Sequence, residues 1–219
     1  MGQDGKRNFD LAAAGWDDEP RRVALARDVA EAMLLRLSLD GRQEALDLGC
    51  GTGLVTLHLA PHLKAITGLD GSAGMLARLA EKLRALSHPN VFTRLQELED
   101  DRPLGGPYDL VVSSMTLHHV RDVPGLLGRV HAALRPGGWV AVADLDPDAG
   151  NFHQDPSGVA HHGFERRALA SQLEQVGFTE VRVETATTTE RERDGQRREF
   201  TVFLATGRRP EEMPGAPKN

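Results

Sequence analysis

Asp47-Leu48-Gly49-Cys50-Gly51-Thr52-Gly53 is the stretch on which the reading of this chain turns. It follows the short apolar run Ala45 to Leu48 and leads into Leu54 to Leu63, where apolar residues recur at helical spacing. A buried strand, a glycine-rich turn and an amphipathic helix in that order open a parallel βαβ unit. Glycines in such a turn accept positive φ and bring the backbone close to a ligand that a Cβ would exclude, while the following helix offers unpaired N–H groups. The next apolar run, Ala65 to Leu69, ends at Asp70. A carboxylate at the end of the second strand is placed to accept hydrogen bonds from the hydroxyls of a ribose. Followed by Gly71 and Ser72, the same Asp70 also suits a turn and a helix cap, a role compatible with ligand binding.

The rhythm repeats on both sides of this unit. Met75 to Leu86 reads as a helix, Val91 and Phe92 as a short strand, Tyr108 to Val112 as a strong one, Val123 to Leu134 as a helix and Trp139 to Ala143 as a fifth strand. Upstream, Val23, Ala26, Val29, Ala30, Met33, Leu34 and Leu37 form an amphipathic helix stopped by Asp40-Gly41. Downstream, Ala168 to Val176 is a helix ended by Gly177, and two β-rich runs, Thr179 to Thr188 and Glu199 to Thr206, flank Asp194-Gly195, a hairpin signal. The predicted architecture is α/β: a doubly wound, mostly parallel seven-stranded sheet ending in an antiparallel hairpin. The segment 208–219, with three prolines and no apolar periodicity, is expected to be a disordered tail after one domain over 1–207.

A dinucleotide fingerprint starting at Gly49 would need a small residue at position 54, where Leu54 stands. The glycines fall instead on alternate positions, 49, 51 and 53, behind an acid at 47. That spacing resembles motif I of the class I S-adenosylmethionine-dependent methyltransferases, which have a Rossmann-like fold. The resemblance continues through Gly68-Leu69-Asp70-Gly71-Ser72 with Met75-Leu76, through Tyr108-Asp109-Leu110-Val111-Val112-Ser113-Ser114 with Leu117-His118-His119-Val120, and through Leu134-Arg135-Pro136-Gly137-Gly138, in the family's order. It implies S-adenosyl-L-methionine as cofactor, with Asp47, Gly49, Cys50, Gly51 and Gly53 in the cradle of its methionine end and Asp70, with Gly71 and Met75 beside it, on the ribose. Ser113 falls in the matching fourth-strand motif. The family's acceptor for the adenine amine falls on Glu97, with Gln96 as the alternative, since a carboxylate and an amide oxygen can each accept from that amine. Asn8-Phe9-Asp10 and Ala14-Gly15-Trp16-Asp17 resemble the segment that covers the cofactor in small-molecule members, so 1–40 is expected to form a helical cap and Trp16 to touch the cofactor. Cys50 also reads as a small packing residue.

A sulfonium methyl is already a good electrophile, so a transferase must mainly place a nucleophile in line, remove a proton and exclude water. In an open α/β sheet the candidates lie beyond the C-terminal ends of the strands. They are His118 and His119 after the fourth strand, Asp144 after the fifth, and His153 in the unpatterned segment 144–162, which reads as a loop over the pocket. Imidazole titrates near neutrality, so each histidine is a plausible base, although His118 and His119 equally suit cofactor-facing positions. His161-His162 lacks the i, i+4 spacing of a helical metal site, and no metal is expected.

Composition narrows the partners. Lys and Arg number 26 against 32 Asp and Glu, a net charge of −6 that disfavours nucleic acid as a partner. The arginines at 191, 193, 197 and 198 alternate with Glu190, Glu192 and Glu199 and read as a mixed-sign solvated edge. One cysteine, no leader-like start and no long apolar run point to a cytoplasmic protein without a membrane partner. The expected activity is S-adenosylmethionine-dependent methyl transfer to a small-molecule acceptor at oxygen, nitrogen or carbon. The rival is a catalytically silent protein of the same fold that binds the cofactor for a regulatory or partner role.

Overall fold

Ala45-Leu46-Asp47-Leu48 is buried along its whole length because β1 (Glu44–Leu48) is paired on both edges and covered on both faces. The computed structural model describes residues 9–211 apart from 87, 154 and 194, and the side chain of 193. A short α1 (Phe9–Ala12) and a 3-10 turn (Ala13–Asp18) precede α2 (Pro20–Arg36), whose proline stands in the first turn, where its missing N–H costs nothing. Then come β1, α3 (Leu54–Leu59), β2 (Ala65–Asp70), α4 (Ala73–Leu86), β3 (Val91–Leu95), β4 (Tyr108–Ser114), α5 (Val123–Ala133), β5 (Leu134–Leu145), α6 (Arg166–Val176), β6 (Thr179–Arg193) and β7 (Gln196–Arg208).

The seven strands lie in the order β3-β2-β1-β4-β5-β7-β6. β1 is parallel to β2 and β4, β2 to β3, and β4 to β5, while β7 runs antiparallel to β5 and β6. Alternate residues of the strands sort into two cores. Ala45, Ile66, Val112 and Ala141 meet Val29 and Met33 of α2 and Val55 and Leu59 of α3. Leu46, Leu48, Val111 and Val142 meet Leu126 and Leu127 of α5 and Leu169 and Leu173 of α6. The period-2 alternation of the strands puts successive residues on opposite faces, so both need apolar cover. Because the chain leaves β1 toward β2 on one side and returns to β4 on the other, the loops diverge at the C-terminal ends of β1 and β4 and open a crevice there.

The sheet is the one the sequence predicts, with two differences at its finishing end. β5 extends over Leu134–Leu145, and only Val202–Arg208 of β7 pairs with it. Beyond Thr201, whose carbonyl accepts from the Asp146 N–H, the outer parts of β6 and β7 have no strand partner but each other among the described residues and leave the sheet as a two-stranded arm. The expected disordered tail also begins too early at 208. Arg208 is in β7, and the backbone of Arg209 both donates to Gly138 and accepts from Gly137. The remainder of that tail, 212–219, lies outside the described residues.

Phe203 of β7 is fully buried, with its ring edge-on to Phe164 at 6.5 Å. Phe203→Ala is expected to lower unfolding free energy by about 3–5 kcal/mol through lost burial and a residual cavity, read as a lower urea midpoint at unchanged slope.

Candidate functional site

The crevice is a cavity of about 890 Å³, toward the upper end of the roughly 300–1,000 Å³ of ligand sites. It is walled by the strap of α1 and the 3-10 turn, the first turns of α2, the glycine loop, the segments that follow β2, β3, β4 and β5, and the arm of β6. Asp47, Gly49, Cys50, Gly51, Asp70, Gly71, Met75, Glu97, Trp16, His118, His119 and His153 all line it, so most of the predicted residues meet in one place.

Carboxyl groups crowd the end of the cavity nearest β1 and β2. Asp70 accepts hydrogen bonds from the N–H of Gly51 and of Ser72, both at 2.8 Å, so it joins the glycine loop to the start of α4. Burial raises its pKa against those two bonds, and the nearby Glu97 and Asp10 raise it further. Asp47 is 1% exposed and accepts from Thr56 Oγ1 at 2.6 Å. Burial pushes its carboxyl up to about 7, the Thr56 bond opposes this, and the charge of Asp70 adds to it. Glu97 lies against Gly71, where a Cβ would stand 2.5 Å from its Oε2. Such a pocket favours cations and hydroxyl donors over anions.

The strap is fastened by two other aspartates. Asp10 accepts from Ser72 Oγ at 2.5 Å and from the Gly74 N–H at 2.7 Å, capping α4 from outside that helix. Asp17 accepts from Thr52 Oγ1 at 2.6 Å and from Lys82 Nζ at 2.8 Å. Phe9 packs edge-on to Trp16 and His119, and Arg22 stacks 4.2 Å over the Trp16 ring. The strap therefore spans the cavity from the glycine loop to the histidines. The cap expected over 1–40 is narrower in fact: only the first turns of α2 reach the cavity, and Val29, Ala30 and Met33 belong to the core.

Beyond β4, His118 is 1% exposed and its Nδ1 lies 2.7 Å from Asp144 Oδ1. Asp144 also accepts from the backbone N–H of Leu145 at 2.7 Å and of His118 at 3.2 Å. Burial alone would raise the Asp144 carboxyl, but His118 and these N–H groups outweigh it and hold the group below its ordinary value. An ionised Asp144 only accepts, so Nδ1 of His118 carries a proton. Nε2 of the same ring is buried with no hydrogen-bond partner among the described residues. His119 is turned by its Nδ1 donating to the Gly158 carbonyl at 2.7 Å, and the His153 ring stands 4.8 Å from that of His118. The loop carrying His153 is pinned because the N–H groups of Ala160 and His161 both donate to the His118 carbonyl.

Four predicted residues do not face the cavity. Gln96 is buried elsewhere and donates from Nε2 to the Arg102 carbonyl, which removes it as the alternative to Glu97. Ser113 spends its hydroxyl on the Leu48 carbonyl at 2.9 Å, tying β4 to β1. Gly53, at φ +83°, starts α3 behind the loop. Asp144 stands behind His118, in contact with its Nδ1. Of the other histidines in 144–162, His161 donates to the Val120 carbonyl at 2.9 Å. Among the described residues no group of three or more His, Cys, Asp or Glu is arranged to hold a metal. Sequence reading missed Asp10, Thr52, Glu99, Thr116, Phe152 and Arg191, all of which line the cavity. Asp10 sits within the quoted strap, Thr52 within the glycine loop and Arg191 within the charged run, and no local pattern marks Glu99, Thr116 or Phe152.

The close approach at Gly74 tests the strap. A Cβ there would stand 2.9 Å from both Cα and the carbonyl oxygen of Asp10, backbone atoms that cannot swing aside. Gly74→Ala is therefore expected to lift the strap, seen as faster hydrogen exchange over 9–18 with the β1 and β4 amides unchanged.

Residues 19–183 match the model of a methyltransferase domain family. An uncharacterized methyltransferase of Schizosaccharomyces pombe is 38% identical over 132 residues, 54% of this chain and 46% of its own length. Another uncharacterized methyltransferase, of Synechocystis sp., is 33% identical over 160 residues, covering 68% of this chain and 73% of that one. This chain thus spans under half of the first relative and about three quarters of the second. The structure of DhpI in its SAH complex superposes with a TM-score of 0.70 at 26% identity, covering 94% of each chain. A family match over most of the chain, carried by a sheet of the same architecture and a cavity at its switch point, makes this protein a member of the methyltransferase domain family.

Proposed function

We propose that this chain transfers the methyl group of S-adenosylmethionine to a protonated oxygen or nitrogen of a small-molecule acceptor, with His118 as the general base. One observation carries the reading: a buried imidazole, its Nδ1 held by a carboxylate and its Nε2 without a hydrogen-bond partner among the described residues, lines the same cavity that the glycine loop enters. The cofactor fits the acidic end. At Gly51, φ +54°, a Cβ would meet nothing nearer than Met75 Sδ at 4.0 Å, so this backbone faces open cavity and can lie against a ligand. Four carboxyls converge there, and two of them, the buried Asp47 and the half-buried Asp70, gain from a nearby cation or from hydroxyl donors.

S-adenosylmethionine, when bound, supplies a sulfonium methyl that needs no further activation. The tasks left to the chain are binding, alignment, proton removal and exclusion of water. Asp70 accepts from the ribose hydroxyls, Glu97 from the adenine amine, and Asp47 with Gly49 and Gly51 holds the methionine end. Phe9, Trp16 and Met75 cover the site against water. His118 takes the acceptor's proton on Nε2, and Asp144 stabilises the imidazolium that results. A silent cofactor-binding protein has no use for an oriented buried base. The single cysteine, buried in the cradle, suits a reducing cytoplasm, and no helix among the described residues is long and apolar enough to cross a membrane.

Three measurements check this. His118→Ala should lower methyl transfer about 10²- to 10⁴-fold in a labelled-methyl assay over a metabolite panel while cofactor affinity stays within about threefold; equal transfer by the variant removes His118 as base. Asp70→Ala should weaken cofactor binding by about 1.5–3 kcal/mol in calorimetry, the value of a charge-assisted hydrogen bond. Burial keeps Asp47 protonated up to a pH of about 7 in the free protein, and a cation beside it favours the ionised form. Binding should thus release a proton below that pH and tighten as pH rises toward it, read by calorimetry in two buffers of different ionisation heat. Asp47→Asn should abolish the proton release.

A further inference from the structure

Phenylalanine, tryptophan and tyrosine make up 5% of the chain, so a gathering of rings at one place calls for a reason. Trp16, Phe9, His119, His118, His153 and Phe152 all line the cavity, and each ring packs against the next. Their centroids are 6.0, 5.2, 4.1, 4.8 and 5.0 Å apart in that order. Phe9 meets Trp16 and His119 edge-on, His153 meets Phe152 edge-on, and the three imidazoles are tilted to one another. Core packing does not account for this row. Phe152 belongs to a core and lies 5.3 Å from Phe200, but Phe9 and Trp16 belong to neither of the two cores, and Phe9, Trp16, His119 and His153 are half-buried.

The row is fixed at both ends and in the middle. Arg22 stacks 4.2 Å over Trp16 and Arg191 4.7 Å over Phe152, while His118 is held by Asp144 and His119 by the Gly158 carbonyl. Rings and acids occupy different halves of the site. Asp47, Asp70 and Glu97 stand at or just beyond the ends of β1, β2 and β3, whereas the three histidines and Phe152 follow β4 and β5. With the strands in the order β3-β2-β1-β4-β5, the acids lie on one side of the switch point and these rings on the other. The walls around the rings are balanced in charge: at the start of α2, in the arm and in the loop after β5, Arg21, Arg22 and Arg191 are matched by Glu19, Asp155 and Glu192. An uncharged, planar molecule suits such a half better than an ion does.

We infer that the acceptor is an aromatic hydroxyl compound, its ring packed against the row and its O–H at His118. The inference rests on the methyl-transfer reading of the same cavity, with His118 as base. Two independent requirements meet in a phenol. Aromatic side chains favour an aromatic partner set edge-on or offset to them. An imidazole base suits a proton of moderate acidity: a phenol, ionising at about 10, is within its reach, an aliphatic alcohol is a far weaker acid, and a carboxylate has no proton to give up. In the transfer the phenolic oxygen forms the new C–O bond with a lone pair as the methyl C–S bond breaks. The electron pair of that bond stays on sulfur, leaving a neutral thioether, and the phenolic proton ends on His118. His153, next to His118 in the row, becomes a specificity residue that sorts acceptors by its ring.

The test uses the full chain saturated with S-adenosylhomocysteine and titrated in a calorimeter with 2-naphthol and 4-phenylphenol, and with their saturated counterparts decahydro-2-naphthol and 4-cyclohexylcyclohexanol. The same four compounds are then offered with S-adenosylmethionine in a labelled-methyl assay. At least one phenol is expected to bind about tenfold more tightly than its saturated counterpart and to accept the methyl group. His153→Leu should remove that preference and His153→Phe should keep it, since the ring and not its nitrogens is what counts. Both variants should retain S-adenosylhomocysteine affinity, which also reports that they are folded. No binding of either phenol, equal binding of phenols and saturated alcohols, binding without methyl transfer, or an undiminished preference in His153→Leu overturns the aromatic acceptor and leaves the cofactor reading standing. Failure of S-adenosylhomocysteine to bind the unmodified chain would instead overturn the reading on which it rests.

Discussion

β1 has partners on both edges and apolar cover on both faces, and that single constraint propagates through the molecule. A strand so enclosed must be apolar and short, and the chain can leave it only at its C-terminal end. With β2 on one side and β4 on the other, the loops after β1 and β4 part at that end. The crevice between them is the site. Asp47, on the last turn of pleat before the glycines, is buried by the same enclosure, which explains why its carboxyl is held so far above its ordinary range. The acid that makes the site chemically distinctive is therefore a by-product of the strand that makes the fold.

Around that crevice, connections of a second kind do the assembling. Asp70 holds the glycine loop to the head of α4, and Asp10 and Asp17 hold the strap to both. Each is a carboxylate accepting from donors at the start of a helix or in a tight loop, where backbone N–H groups lack partners. Asp10, Asp47, Asp70 and Glu97 gather at one end of the cavity, where Glu97 and Asp10 raise Asp70 and Asp70 raises Asp47, a cost that a cation would relieve. At the other end His118 and Asp144 form a different arrangement, a buried carboxylate that holds an imidazole by its Nδ1. The two ends suit two ligands with different demands.

The glycine cradle, Asp70 and the seven strands were legible because each is a local pattern: glycine on alternate positions, an acid closing an apolar run, alternation with period 2 or 3.6. Gln96 and Glu97 could not be separated this way. They follow β3 by one and two residues, and which one faces the cavity depends on the pairing of the Gln96 N–H with the Asp70 carbonyl. Ser113 sits in a recognisable strand motif, yet its hydroxyl is consumed by the neighbouring strand. The tail was placed too early because the pairing of Arg209 with Gly137 and Gly138 joins segments some seventy residues apart and leaves no trace in local composition.

By itself, the sequence determined the strand and helix succession, the position of the cradle and the acid that follows it, since those depend on neighbours a few residues away. Only the tertiary structure decided that Asp144 stands behind His118, that the Arg191 guanidinium stacks on Phe152, and that the alternating charges of the arm separate into a cationic face and an acidic one. These meetings depend on sheet register and on where long loops close. A shift of one residue in register would exchange the two faces of the arm, and no short stretch of sequence contains that information.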